Sequence, residues 1–81
     1  MKGRKFKHMR ELREDNDMKQ TAIAKYLKVD QSVYSRYENG DCEIPVAVFI
    51  RLAYLYDVSV DYLLDLSNFK NYYPRIKNPL D

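Results

Sequence analysis

Residues 20–40 read QTAIAKYLKVDQSVYSRYENG, and this stretch decides the fold. Ile23, Ala24 and Leu27 fall at i, i+1 and i+4, one apolar face of a short helix from about Gln20 to Leu27, with Met18 at its start. Asp30 stands where a helix N-cap belongs, since its carboxylate can accept from the free amides of the next turn and favours the positive end of the helix dipole. A further helix therefore starts at Gln31 and turns Val33, Tyr34 and Tyr37 inward. It ends at Asn39-Gly40, because glycine readily takes the left-handed conformation that follows a last helical turn. Only Lys28, Val29 and Asp30 separate the two helices. A connection that short makes them cross steeply and requires a small residue at the crossing. Ala24 supplies it, while Leu27, Val29 and Tyr34 fill the angle.

The flanking segments extend the helical pattern. Phe6, Met9 and Leu12 recur every three residues among Lys, Arg and Glu, as the stripe of a first helix that the polar cluster Asp15-Asn16-Asp17 ends. After Gly40, Pro45 sits where a first helical turn tolerates a missing amide. Val46, Phe49, Ile50, Ala53 and Tyr56 follow at spacings of three and four, which predicts a fourth helix with these residues inward. Ser59 can cap a last helix from Val60 to about Leu66, carrying Val60, Leu63 and Leu64 inward. Five helices and no strand are expected, with residues 67–81, interrupted by Pro74 and Pro79, as an irregular tail.

Composition narrows the function. Eighty-one residues, 46% hydrophobic and 32% charged, suit one small folded domain with a single core. Cys42 is the one cysteine, so no internal disulfide, Cys-pair zinc site or redox dithiol can form. No run approaches the roughly 20 apolar residues of a membrane span. Net charge is only +2, but it is unevenly placed: residues 1–36 hold ten basic and five acidic side chains, residues 37–66 one and six, and residues 67–81 three and one. Such a split gives a dipole that can orient a domain towards a polyanion, though solvated charge alone also accounts for it. An enzyme finds no foothold: there is no Gly-rich phosphate loop, no His-carboxylate cluster at metal spacing, and the one Cys and one His lie far apart.

The two central helices have helix-turn-helix spacing. Around them stand Met9-Arg-Glu-Leu-Arg13, Gln20 with Ile23-Ala24 and Leu27, Ser35-Arg-Tyr-Glu-Asn-Gly40, Ile44-Pro45, Leu52-Ala53 and Val58-Ser-Val-Asp-Tyr-Leu-Leu64. Taken in register, these segments resemble the Cro/C1-type helix-turn-helix (Xre) family of bacterial and phage DNA-binding regulators, from Phe6 to Leu66. The resemblance implies an all-α, five-helix lambda-repressor-like domain over residues 6–66, between a basic arm (1–5) and the tail. It implies a small transcriptional regulator, a repressor, that is cytoplasmic and nucleoid-associated, bacterial or phage-encoded, needs no cofactor or metal, and sets the Gln31–Asn39 helix in the major groove of double-stranded DNA.

Position by position, the resemblance puts Gln31, Ser32 and Ser35 at base edges with Arg36 beside them. Arg can grip guanine O6 and N7, Gln adenine N6 and N7, and Ser several partners, so the two serines discriminate weakly. Gln20 corresponds to a phosphate contact that also braces the first recognition residue, and Lys19, Lys25 and Asn39 add phosphate contacts. Arg13 and Glu38 match positions that pair the first helix with the third, and Tyr34 and Tyr37 match core positions. Arg36 has a competing use as an ion-pair partner of Glu38 or of a first-helix carboxylate. His8, a lone histidine among basic residues, is expected at the surface. The sequence departs from the family at Lys28, where a glycine is usual, and at Asp30, where Ser or Thr is common and a carboxylate would repel phosphate. The arm residues Lys2, Arg4, Lys5, Lys7 and Arg10 offer compensating phosphate contact, or a solvated terminus.

One helix in one groove makes few base contacts, so a homodimer on a near-palindromic operator is expected, with half-sites about 34 Å apart. Its interface would use the acidic C-terminal half, with Phe69, Tyr72 and Tyr73 either as anchors or folded back over their own core. A protein partner in place of DNA is the alternative from another class, since one fold serves many functions.

Overall fold

In the computed structural model the described residues are 4–67, and they form helices α1 (Lys7–Asp15), α2 (Gln20–Leu27), α3 (Gln31–Asn39), α4 (Val46–Tyr56) and α5 (Val60–Leu63), with no strand among them. Each helix sends one fully buried side chain into a common core: Met9, Ile23, Tyr34, Leu52 and Leu63. Burial of such side chains stabilises a domain by about 1.5–3 kcal/mol apiece, which short helices need because they are marginal alone. Ala24 is buried at the α2–α3 crossing, with Leu27 and Tyr34 buried and Val29 half-buried beside it. No helix among the described residues is long and apolar enough to cross a membrane.

Three helices end alike. Lys28 after α2, Gly40 after α3 and Asp57 after α4 are left-handed (φ 61°, 76° and 54°). In each case the next amide reaches back to a carbonyl five residues earlier: Val29 to Ala24 at 3.0 Å, Asp41 to Arg36 at 2.9 Å, and Val58 to Ala53 at 3.1 Å. These bonds satisfy carbonyls that a helix end leaves free and turn the chain sharply. Lys28 adopts the strained turn in place of the usual glycine.

Four expectations are corrected. The inward face of α4 is Val48, Phe49, Leu52 and Ala53, while Val46 and Ile50 are exposed. VAVFIRLAYLY is apolar at every position but Arg51, so its periodicity alone chose the side only weakly. Helix α5 stops at Leu63 instead of continuing to Leu66, because Asp65 turns left-handed (φ 60°). Its carboxylate then accepts from the amides of Lys7 (3.0 Å) and His8 (3.4 Å), satisfying the start of α1. His8 is buried, not at the surface: its ring stacks on Tyr62 with centroids 3.8 Å apart. His8 Nδ1 donates to the Tyr62 carbonyl at 2.6 Å and lies 3.0 Å from an Asp65 oxygen. Finally, Asp30 occupies the N-cap position of α3 but its side chain makes no capping bond, whereas the Ser59 hydroxyl does accept from Tyr62 N at 3.0 Å.

Candidate nucleic-acid interface

At 3.6 residues per turn, Gln31, Ser35, Asn39, Ser32 and Arg36 lie within about 140° of one face of α3. Tyr34 and Tyr37, opposite, are buried and meet edge to face. Gln31, Ser32, Arg36 and Asn39 are exposed and Ser35 is half-buried. Lys19 and Lys25 are exposed on α2, as is Lys28 in the turn. The Arg36 side chain makes no ion pair with any described residue, and the Glu38 carboxylate it could have met is already taken.

That carboxylate is the hub of the site. Glu38 is 2% exposed, and its oxygens accept from Arg13 Nε at 2.6 Å, Arg13 Nη2 at 3.2 Å and Gln20 Nε2 at 3.1 Å. Arg13 also donates to the Met18 carbonyl at 2.9 Å, tying α1 to the segment before α2. Burial by itself would push the Glu38 carboxyl up, but the hydrogen bonds and charge of Arg13, with Gln20, outweigh it and hold the group below the ordinary carboxylate range. The pairing raises the Arg13 guanidinium further. The Tyr34 hydroxyl lies beside Glu38 outside hydrogen-bonding geometry; burial first, then that carboxylate, pushes its phenol up.

Gln20 has a second bond. Its Oε1 accepts from Gln31 Nε2 at 3.3 Å, so an unbroken chain runs from Arg13 through Glu38 and Gln20 to the first residue of α3. The sequence placed Gln20 at the start of α2 but carried no sign of its contact with Glu38, eighteen residues on, which depends on how α2 crosses α3.

The far end of α3 is held differently. A Cβ on Gly40 would lie 2.8 Å from the Lys5 amide nitrogen and 3.1 Å from its Cα. The backbone of the basic arm therefore crosses directly over the last turn of α3. Arg4 sits 5.1 Å over the Phe6 ring, which in turn packs edge-on against Phe49 of α4. Residues 1–3 and 68–81, with Lys2 of the arm and the tail aromatics Phe69, Tyr72 and Tyr73, lie outside the described residues.

Residues 9–63 match the family model described as helix-turn-helix. The chain belongs to the Cro/C1-type helix-turn-helix family. Outside the family model, this helix-turn-helix chain is 35% identical over 60 residues to an uncharacterized HTH-type transcriptional regulator, YobD, of Bacillus subtilis (strain 168). The match covers 74% of the chain and 54% of that relative, so the chain spans about half the length of the curated protein it resembles. No solved structure matches it. The matched segment runs from α1 into α5 and contains both helices of the motif, the Arg13–Glu38 pair and the whole outward arc of α3.

Proposed function

We propose that the protein is a sequence-specific binder of double-stranded DNA and a transcriptional repressor, with α3 in the major groove. The observation that carries this reading is the outward arc of α3. It is polar, carries Arg36, is exposed at every position but the half-buried Ser35, and is braced from behind by the Arg13–Glu38–Gln20–Gln31 chain. A pre-ordered reading head loses less side-chain freedom on binding. Gln31, Ser32, Ser35 and Arg36 read base edges, while Lys19, Gln20, Lys25 and Asn39 contact phosphate. Family membership and the relative's designation as a transcriptional regulator support the same function. The partner is a near-palindromic operator bound by a homodimer, because one recognition helix per chain makes too few base contacts for selectivity.

The test is selection of bound duplexes from a random pool at about 150 mM salt, where phosphate attraction alone does not dominate. An inverted repeat with half-sites about one helical turn apart is expected. On that sequence Gln31→Ala and Arg36→Ala should each weaken binding by about 1–3 kcal/mol. Equal losses on preferred and random DNA would overturn base reading. Failure to enrich any sequence with the folded protein would turn attention to a protein partner for the α3 face.

A further inference from the structure

The six acids of residues 37–66 are not alike. Asp41, Glu43, Asp57 and Asp61 are exposed, whereas Glu38 and Asp65 are not, and both of these hold α1. Glu38 grips Arg13 in the last turn of that helix, and Asp65 grips its start. Helix α1 supplies no cap of its own: its N-cap residue is Phe6, and no acid stands in its first turn. The free amides there are met by the Asp65 carboxylate, 58 residues away from Lys7 in sequence, at 3.0 Å from the Lys7 amide and 3.4 Å from that of His8. His8 Nδ1 lies 3.0 Å from the same carboxylate, and the His8 ring stacks on Tyr62. Asp65 itself stands left-handed (φ 60°), a strained conformation for a residue other than glycine, and these bonds are what hold it there.

We infer that Asp65 is a positioning residue for DNA binding: it holds the start of α1 so that the basic arm lies across the end of α3, an inference that rests on the DNA reading above. The arm is continuous with the residues Asp65 grips. Lys7 and His8 are held by the carboxylate, Phe6 packs edge-on against Phe49, and the Lys5 backbone covers the buried Gly40. The Lys5 Cβ lies 3.1 Å from the point that a Gly40 Cβ would occupy, so its side chain leaves the backbone beside the last turn of α3. Arg4, Lys5 and Lys7 are all exposed. Asn39, the far end of the outward arc, adjoins Gly40, and Arg36 is the one cation within that arc. The arm therefore brings further cations to the C-terminal end of α3, where the helix dipole is negative and favours them. Cations held in place lose less freedom on meeting phosphate than cations on a free terminus. Asp65 acts only through them: its side chain is 12% exposed and is engaged by two amides and an imidazole, and a carboxylate would itself repel phosphate.

The experiment takes the full chain through two measurements. Without DNA, amide hydrogen exchange followed by NMR should show the Lys7 and His8 amides exchanging on the order of 10-fold faster in Asp65→Ala, with the Gly40 signal displaced and exchange in α2 and α4 unchanged. Asp65→Asn keeps one acceptor oxygen and tolerates the left-handed turn, so it should restore most of the natural behaviour. Protection of Lys7 and His8 that is unchanged in Asp65→Ala, with an unmoved Gly40 signal, overturns the inference and leaves Phe6 on Phe49 as the anchor of the arm. With a random-sequence duplex as probe, the slope of log affinity against log salt should become shallower by about 2 in Asp65→Ala, the loss of roughly two phosphate contacts. Replacing Arg4, Lys5 and Lys7 together by Gln should lower the slope at least as much, and Asp65→Ala should then add nothing. An Asp65 that only supports the fold would weaken binding at an unchanged slope and add fully to the arm substitutions; either result overturns the positioning role. If the natural chain binds no duplex, the DNA reading falls and the positioning role with it, while the exchange measurement, made without DNA, still decides whether Asp65 holds the arm.

Discussion

Lys28, in the turn that leads from α2 into α3, and Gly40, at the end of α3, share one backbone shape (φ 61°, ψ 42° and φ 76°, ψ 24°) and the same back-reaching amide bond, yet they depend on different things. At Lys28 the turn is local: the side chain is exposed and the left-handed conformation costs about 1–2 kcal/mol. At Gly40 the turn is also a crossing, because the Lys5 backbone occupies the space a Cβ would need. Two residues earlier, Glu38 is held by Arg13 from α1. The end of α3 is thus pinned by distant chain, and its start by its neighbours α2 and Gln20. Left-handed geometry alone does not demand glycine; close approach of another backbone does.

Substitutions can break this contrast, and the largest effect belongs to the pinned end. Glu38→Ala leaves Arg13 partly buried without its partner and should cost about 3–5 kcal/mol in urea unfolding. The same pair predicts an acid response. Since the folded-state carboxyl is held low, its contribution is fully present above the unfolded value of about 4.3 and is lost as pH falls through the folded value. Glu38→Gln should flatten stability against pH in that window; an unchanged slope would remove Glu38 as its source.

Gly40→Ala should come next, at about 2–3 kcal/mol, because left-handed strain adds to displacement of the Lys5 backbone. A cost no larger than 1 kcal/mol by thermal unfolding would mean that the arm yields freely and the end of α3 is as local as its start. Lys28→Gly should stabilise by about 0.5–1 kcal/mol, the relieved strain less the greater unfolded-chain entropy of glycine. A loss there would show that the Lys28 side chain has a structural task. Smallest of all, Arg36→Ala should change stability by less than about 0.5 kcal/mol, since the side chain is exposed.

Much of the site was legible because its signals are local. Ile23, Ala24, Leu27, Tyr34 and Tyr37 are buried as their spacing predicts, and the residues between them form the outward arc. Asp30 shows the limit of such reading: an N-cap residue type at an N-cap position makes no capping bond. His8 shows another, for its surroundings in sequence are charged, while its surroundings in space are Tyr62 and Asp65, more than fifty residues away.

By itself the sequence determined where α1 to α4 lie, which face of α1, α2 and α3 is apolar, and that α2 and α3 are joined by a three-residue turn. These follow from propensity, periodicity and turn chemistry acting over a few residues. Tertiary structure alone decided which side of α4 is buried, that Asp65 leaves α5 to satisfy the start of α1, that Gln20, besides bracing Gln31, reaches Glu38, and that Lys5 lies over Gly40. Each of those outcomes depends on which distant groups share space after packing. Where a helix is apolar almost all round or a polar side chain has several possible partners, local rules leave the choice open and the packed core makes it.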